Sequence, residues 1–205
     1  MGDRHGLIVD YGGVLTTDVF ASFRAFCAAE GLPPDTVRDR FRGDPAARAL
    51  LADLETGALT AAAFEPRFAA LLEVRSERLI ERLFGGMAPD HAMLDGVRQI
   101  RRDGTRTGLL SNSWGDAPAY DPALLRELFD GWVISSEVGL RKPDPAIYEL
   151  AVERIGVPAD RCVYVDDLPG NLKPAAALGM ATVLHGGDAD ATLRRAGMLL
   201  GVSLR

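Results

Sequence analysis

Four short clusters of polar residues in this sequence contain the side chains that phosphoryl chemistry requires. The clusters begin near Asp10, Ser111, Lys142 and Asp166, and each follows an apolar run. A carboxylate can attack phosphorus and so divide one difficult displacement into two easier steps. A hydroxyl, backbone N–H groups and a lysine can hold the phosphate oxygens, while carboxylates can bind a magnesium ion that offsets the negative charge. Together the clusters predict a site for a phosphate-bearing ligand.

Each cluster on its own has a purely structural explanation. An aspartate after a strand often forms a turn or caps a helix, which would account for Asp10 and for Asp166-Asp167. Ser111-Asn112 is also typical of turns, and a single lysine such as Lys142 is most often solvated. Four such clusters at the ends of successive strands are not explained by turns alone, so we favour the functional interpretation.

Five short apolar runs predict the strands that would position these clusters. The runs are nearly continuous rather than alternating, which is typical of parallel strands that are covered on both faces. They comprise residues 6–9, 107–110, 132–134, 162–165 and 181–184. Amphipathic helical patterns lie between the later runs, and Asp121-Pro122 and Asp144-Pro145 each combine a helix cap with a proline at the first helical position. We expect an α/β fold with a Rossmann-like parallel sheet core in three layers, α/β/α, and ligands at the carboxyl ends of its strands.

The segment from residue 16 to residue 87 has a different pattern. It contains no convincing strand, but its phenylalanines and leucines recur at helical spacing. We therefore predict an inserted all-helical cap over 16–87 and an α/β core formed by 1–15 and 88–205. A helical insert after the first strand would lie as a lid over the active edge of the sheet.

Composition narrows the possible partners. The chain has 205 residues, 47% of them hydrophobic, and a net charge of −6, which disfavours nucleic acid and anionic membrane surfaces. No apolar run approaches the length of a membrane span, and Cys27 and Cys162 have no metal-binding or disulfide-framework spacing. We expect a cytoplasmic protein, monomer or homodimer, that acts on a small molecule and has buried thiols. The three scattered histidines do not predict a metal site.

The four clusters occur in the order and at the spacing of the motifs of the haloacid dehalogenase superfamily, which this chain resembles over essentially its whole length. The matching segments are Asp10-Tyr11-Gly12-Gly13-Val14-Leu15, Ser111-Asn112, Lys142-Pro143-Asp144-Pro145 and Asp166-Asp167 with Asn171. The second and fourth are most similar to the N-terminal phosphatase domain of soluble epoxide hydrolases. The resemblance implies a magnesium-dependent phosphatase acting on a small phosphate monoester. No α/β-hydrolase domain follows, so epoxide hydrolysis is not implied.

The resemblance also implies roles for individual residues. Asp10 would be the nucleophile, forming an aspartyl-phosphate, and also a metal ligand. Ser111 and Asn112 would bind the phosphoryl group, and Lys142 would balance the charge of nucleophile and phosphate. Trp114 would line the pocket and favour an organic leaving group, although a plain packing role explains it equally well.

The metal site would draw on Asp10, the carbonyl of Gly12 and the pair Asp166-Asp167. Neighbouring residues on a strand point to opposite faces, so both members of the pair cannot face one ion equally. In one variant of the family motif, an aspartate is followed by a second polar residue four positions later. Asp167 and Asn171 match this variant, so Asp167 is the preferred direct ligand and Asn171 is expected to support the ligands.

Gly12 is the main departure from the family pattern. Phosphatases of this family usually have a second aspartate there, which protonates the leaving group, and such catalysis contributes roughly 10²–10⁴-fold. Tyr11 is not expected to replace it, because its side chain should point to the opposite face of the strand. Asp18, a cap residue or a water held by Asn112 remain candidates.

Two alternatives to the phosphatase stay open. The first is a low-activity or non-catalytic protein that binds a phosphorylated ligand, because Gly12 removes the acid. The second, less favoured, is a 2-haloacid dehalogenase, which would use Asp10 on carbon without a metal. Against it, the dehalogenase pattern has tyrosine where Gly12 stands.

Overall fold

A computed structural model describes residues 4–115 and 120–203 of the chain. In these residues all strands belong to one parallel sheet with the order β3-β2-β1-β4-β5. The strands are β1 (Gly6–Val9), β2 (Arg106–Ser111), β3 (Gly131–Ile134), β4 (Cys162–Asp166) and β5 (Ala181–Leu184). The five predicted strands and the α/β fold class are thus confirmed, with strand limits within one residue of those expected.

Eleven helices lie within the described residues. Five precede β2 in the region between β1 and residue 90: α1 (Val19–Ala29), α2 (Thr36–Gly43), α3 (Pro45–Glu55), α4 (Ala61–Leu72) and α5 (Leu79–Phe84). The others are α6 (His91–Arg102), α7 (Pro122–Leu128), α8 (Ser135–Val138), α9 (Pro145–Ile155), α10 (Pro169–Ala177) and α11 (Ala189–Leu200). A 3₁₀ turn (Ala159–Arg161) precedes β4. No helix in the described ranges is both long and apolar enough to cross a membrane.

The sequence signals at the helix ends act as expected. The side chains of Asp121 and Asp144 accept hydrogen bonds from the N–H groups of Ala123 and Ala146, so both cap their helices. At the other end of α9, Gly156 adopts φ = 69°, the left-handed conformation that favours glycine. These caps fix where the helices start and stop, and therefore where the loops at the sheet edge emerge.

Helices cover both faces of the sheet. On one face, α6, α7 and α11 pack on alternate strand residues such as Leu7, Val9 and Leu109. On the other face, α9 and α10 pack on Ile8 and Leu110. Because both faces are buried, the strands need apolar residues at nearly every position, as the sequence has.

Helices α1–α5 form a separate apolar cluster, which we call the cap. Its core is built from phenylalanines and leucines of all five helices, including Phe23, Leu54 and Phe64. The two connections between cap and sheet run side by side, because Thr16 pairs with Pro89 and the N–H of Thr17 donates to Ala88 O at 2.8 Å. The domain limits at 15/16 and 87/88 stay a prediction.

Both cysteines are buried and free, as expected. Cys27 belongs to the apolar cluster of the cap, and Cys162 to the face of the sheet covered by α9 and α10. Their packing explains the thiols without a chemical role.

Candidate active site

Asp10 stands at the carboxyl end of the central strand β1. Its N–H donates to Val165 O at 2.9 Å, which continues the β1–β4 pairing and orients the side chain. Oδ1 accepts from the N–H of Tyr11 at 2.7 Å and lies 2.8 Å from Nζ of Lys142. Burial raises the pKa of Asp10 to about 8, against the lowering effect of Lys142 and with a further rise from Asp166 and Asp167. The ionised form of Asp10 is therefore disfavoured in this site, and an additional positive charge nearby would stabilise it.

Lys142 joins two of these carboxylates. Its Nζ lies 2.8 Å from Asp10 Oδ1 and 2.8 Å from Asp166 Oδ2, and 1% of its side chain is exposed. Burial lowers the pKa of Lys142, but the two carboxylates raise it by more, so the lysine stays charged. The structure thus brings together Asp10 and Lys142, which the sequence predicted as neighbours.

The side chain of Asn112 forms hydrogen bonds to both the N–H and the carbonyl of Lys142. Its Oδ1 accepts from the N–H of Lys142 at 2.8 Å, and its Nδ2 donates to the carbonyl of Lys142 at 3.1 Å and to Glu55 Oε2 at 3.3 Å. This amide therefore supports the lysine in the arrangement seen here. Its predicted contact with a phosphoryl group stays a prediction.

Asp166 is enclosed by protein donors. Oδ1 accepts from the N–H of Leu168 and from Asn171 Nδ2, while Oδ2 accepts from Lys142, from the hydroxyl of Tyr164 and from the same amide of Asn171. With no exposed side-chain surface and both oxygens engaged, Asp166 anchors Lys142. Asn171 supports this carboxylate rather than its neighbour Asp167.

Asp167 is the more open member of the pair and lines the same cavity as Asp10. Burial and the charge of Asp166 raise its pKa to about 6, although Lys142 lowers it. Its Oδ2 lies 2.5 Å from the point where a Cβ on Gly13 would stand, and Gly13 has φ = 76°. Only glycine fits this position without displacing the carboxylate.

The carboxylates of Asp10, Asp166 and Asp167 form a group that suits a divalent cation. One oxygen from each lies within 4.8 Å of the others. Hard oxygen donors of this kind suit Mg²⁺. Burial is the main cause of the raised pKa values of Asp10 and Asp167, neighbouring carboxylates add to it, and a cation would stabilise the ionised forms. Gly12 lines the cavity beside them. The residues present therefore fit the predicted magnesium ion.

Ser111 ends strand β2 at the floor of the same cavity. Its hydroxyl lies 2.8 Å from the hydroxyl of Tyr120, which also lines the cavity and packs against Tyr11 with ring centroids 4.9 Å apart. Tyr11 packs against the same apolar cluster as Leu7 and Val9, as strand alternation predicts, and it also lines the cavity. That Tyr11 does not replace the missing acid stays a prediction.

Above the carboxylates the cavity widens into the cap, with a volume of about 1210 Å³. The lining there includes five aromatic side chains, with charged side chains such as Arg38, Arg42 and Glu65 among them; the aromatic residues are Phe20, Phe23, Phe41, Phe84 and Trp114. Trp114 comes from the loop after β2, yet its ring packs against four phenylalanine rings of the cap at centroid distances of 5.0–5.9 Å. Trp114 thus both lines the pocket and joins core to cap.

Of the proposed replacements for the missing acid, Asp18 is not among the residues that line the cavity, although its charge contributes to the raised pKa of Asp167. It caps α1 by accepting from the N–H of Phe20 and pairs with Arg24 at 3.3 Å. Two cavity residues have no signal in the sequence: Glu55 and Tyr120. Glu55 stands at the end of a helix and Tyr120 precedes the helix-capping Asp121. Neither position suggests a functional role from the sequence alone.

Comparison with known proteins shows the family to which the chain belongs. The family model for haloacid dehalogenase-like hydrolases matches residues 5–179. Bifunctional epoxide hydrolase 2 of Sus scrofa is 35% identical over 121 residues, which are 56% of this chain and 22% of that protein. Sesquiterpene phosphatase astK of Aspergillus oryzae is 34% identical over 123 residues, 57% of this chain and 60% of the relative. The match thus spans about a fifth of the first relative and three fifths of the second.

Solved structures share the fold. A HAD family enzyme from Bacteroides thetaiotaomicron aligns with a TM-score of 0.71 at 21% identity, covering 91% of this chain and 95% of that one. A single-residue mutant of that enzyme, in complex with magnesium and inorganic phosphate, aligns with a TM-score of 0.68 at 21% identity, covering 90% of this chain and 95% of that one. At this identity the likeness concerns the fold.

Proposed function

Because the chain belongs to the family of haloacid dehalogenase-like hydrolases, we propose that it is a magnesium-dependent phosphatase that cleaves a phosphate monoester of a bulky, apolar alcohol. The observation that carries the proposal is the position of Asp10, which contacts Lys142 at 2.8 Å at the base of an aromatic cavity. A nucleophile, a fixed positive charge and a cation site meet there, and the organic part of a substrate has room above them.

Asp10 would attack phosphorus through Oδ2. Among the described residues its hydrogen bonds involve Oδ1, so the second oxygen is available. The new bond from Asp10 to phosphorus forms as the bond from phosphorus to the alcohol oxygen breaks, which leaves an aspartyl-phosphate. Water then cleaves this intermediate, releasing inorganic phosphate and regenerating the carboxylate.

Other residues hold the charge that moves in these steps. Lys142 keeps its proton and faces both the nucleophile and the phosphoryl group, and Ser111 offers a hydroxyl at the cavity floor. A magnesium ion would be held by Asp10 and Asp167 with the carbonyl of Gly12, and when bound it neutralises negative charge on the phosphoryl oxygens.

Gly12 offers no proton to the departing alcohol, which must then take its proton from water. We therefore expect slow turnover on poor leaving groups and faster turnover on activated esters, where the leaving group needs no proton. Tight binding of a phosphate mimic with no turnover on any substrate would instead favour a phospholigand-binding protein.

The width and lining of the cavity support the substrate class. A volume of about 1210 Å³ exceeds the space that a phosphate and a short polar chain fill, and phenylalanine rings make few hydrogen bonds. The similarity to a sesquiterpene phosphatase is consistent with an apolar alcohol. A cytoplasmic location and a monomeric or homodimeric state remain predictions.

A phosphate-release assay tests the proposal. Purified protein is given p-nitrophenyl phosphate, glycerol phosphate and a long-chain isoprenoid phosphate, with and without Mg²⁺. We expect release that requires Mg²⁺ and that is abolished by Asp10→Asn. The highest kcat is expected for the activated p-nitrophenyl ester, and of the two unactivated esters the isoprenoid phosphate should have the higher kcat/KM. Metal-independent halide release from a 2-haloacid would support the dehalogenase alternative and overturn the proposal.

A further inference from the structure

Glu55 is a buried carboxylate of the cavity that the proposed mechanism does not use. We propose that it is a positioning residue, which couples the seating of the cap to the placement of Lys142. The inference rests on the proposed function for its catalytic consequence, but its structural part can be measured without turnover.

Glu55 ends α3 and reaches from the cap into the core. Its side chain is 7% exposed, and Oε2 accepts from Arg141 Nε at 2.6 Å and from Asn112 Nδ2 at 3.3 Å. Its carbonyl accepts from the hydroxyl of Ser135 at 2.5 Å. One cap residue thus contacts three separate segments of the core.

The turn that follows Glu55 lies directly on the core backbone. Gly57 has φ = 74°, and a Cβ there would stand 2.6 Å from the carbonyl oxygen of Ser136 in α8. The close approach requires a glycine and leaves no space for solvent between the turn and α8. The α3–α4 turn is therefore docked at the edge of the catalytic cavity.

These contacts continue to the nucleophile through Asn112. Its amide binds Glu55 on one side and both backbone polar groups of Lys142 on the other, and Nζ of Lys142 lies 2.8 Å from Asp10. Without the carboxylate of Glu55, the amide of Asn112 loses one hydrogen-bond partner and the guanidinium of Arg141 loses its ion-pair partner. Arg141 directly precedes Lys142 in the chain. The lysine would then lose its fixed position.

Packing alone does not account for a carboxylate at this position. Burying one costs free energy, and burial raises the pKa of Glu55 even though Arg141, Lys142 and Asn112 lower it. An apolar side chain would fill a cap–core contact at lower cost. A charged group that binds an arginine and an amide is suited to orienting them.

Hydrogen–deuterium exchange and kinetics on Glu55→Gln test the coupling, with Asp53→Asn as the matched control. Asp53 is an exposed carboxylate two residues earlier on the same helix. In Glu55→Gln we expect exchange around Asn112 and Lys142 to rise about tenfold and kcat to fall about tenfold to a hundredfold, with KM for p-nitrophenyl phosphate changed less than kcat. In Asp53→Asn neither value should change.

Arg141→Met provides a second variant if Glu55→Gln folds poorly, because it removes the same ion pair from a partly exposed side chain. It should raise exchange at Lys142 in the same way, and the double variant should add little to either single one. Unchanged exchange at Lys142 in both variants would overturn the proposal. If the wild-type protein releases no phosphate, the phosphatase proposal fails, while a rise in exchange would still support the coupling.

Discussion

Nζ of Lys142 lies 2.8 Å from Oδ2 of Asp166, and at most 1% of either side chain is exposed. Asp166 also accepts hydrogen bonds from Tyr164 and Asn171, so the pair is fully enclosed. A buried ion pair of this kind is costly to break, because removing one partner leaves the other charge unpaired. The position of Lys142, which we propose to be catalytic, thus depends on a residue that need not touch the substrate.

We predict different effects for Asp166→Asn and Asp167→Asn. Asp166→Asn should lower the free energy of unfolding by about 3–5 kcal/mol and abolish turnover, because Lys142 loses its anchor. Asp167→Asn should make the metal-free protein more stable at neutral pH, because burial and Asp166 raise the pKa of Asp167 to about 6, and should weaken Mg²⁺ binding by at least about tenfold. Urea unfolding and titration calorimetry measure the two effects. Equal destabilisation by both substitutions would contradict this division of roles.

The stability of the metal-free protein should fall as pH rises towards 8. The pKa of Asp10 is raised from 3.8 to about 8 in the folded protein, so the folded state holds a proton that the unfolded state has lost. Its stabilising contribution is complete below about pH 4 and is lost as pH rises through 8. Between pH 6 and 8 this loss is on the order of 2 kcal/mol, and Asp10→Asn should remove it.

Mg²⁺ affinity should rise with pH, whereas the stability of the metal-free protein should fall. The cation competes with protons for Asp10 and Asp167, whose pKa values are raised to about 8 and about 6. Binding should therefore strengthen from pH 6 to pH 8 and release protons, which calorimetry in two buffers of different ionisation heat would detect. Affinity independent of pH would show that these carboxylates are not the ligands.

Gly12→Asp should increase turnover. A Cβ at this position would meet one neighbour, Val19 Cγ2 at 3.2 Å, and the valine side chain can move by the few tenths of an ångström required. The new carboxylic acid could protonate the leaving group, so we expect at least about a tenfold rise in kcat on an unactivated ester, with less gain on p-nitrophenyl phosphate. Gly12→Asn is the control, since it fills the same space without an acid. An unchanged rate in a folded, Mg²⁺-binding Gly12→Asp variant would count against this role for position 12.

Gly13→Ala should weaken metal binding. Its φ of 76° disfavours any side chain, and the added methyl would stand 2.5 Å from Asp167 Oδ2. We expect a loss of about 1–3 kcal/mol in stability and of at least about tenfold in Mg²⁺ affinity. Gly12→Ala, next to it but without positive φ, should retain the metal. If Gly13→Ala retained full Mg²⁺ affinity, displacement of Asp167 would not affect metal binding, and the prediction would be wrong.

Much of the fold follows from local signals in the sequence. The apolar runs predicted all five strands because strands covered on both faces need apolar residues throughout, and Asp121 and Asp144 marked the starts of two helices. The order of the four polar clusters placed Asp10 and Lys142 at one sheet edge, where they lie 2.8 Å apart.

Side-chain direction and contacts with the cap depended on the tertiary structure. Strand alternation separated Asp166 from Asp167, but only the folded chain shows Asp166 turned to Lys142. Tyr11 packs with Leu7 and Val9 as alternation predicts, but its contact with the distant Tyr120 follows only from the fold. Glu55 carries no recognisable pattern, because its importance comes from Asn112 and Arg141, which are 57 and 86 residues away along the chain. Local periodicity predicts which face of its own helix or strand a residue occupies. Contacts between distant segments arise only when the cap and the core pack together.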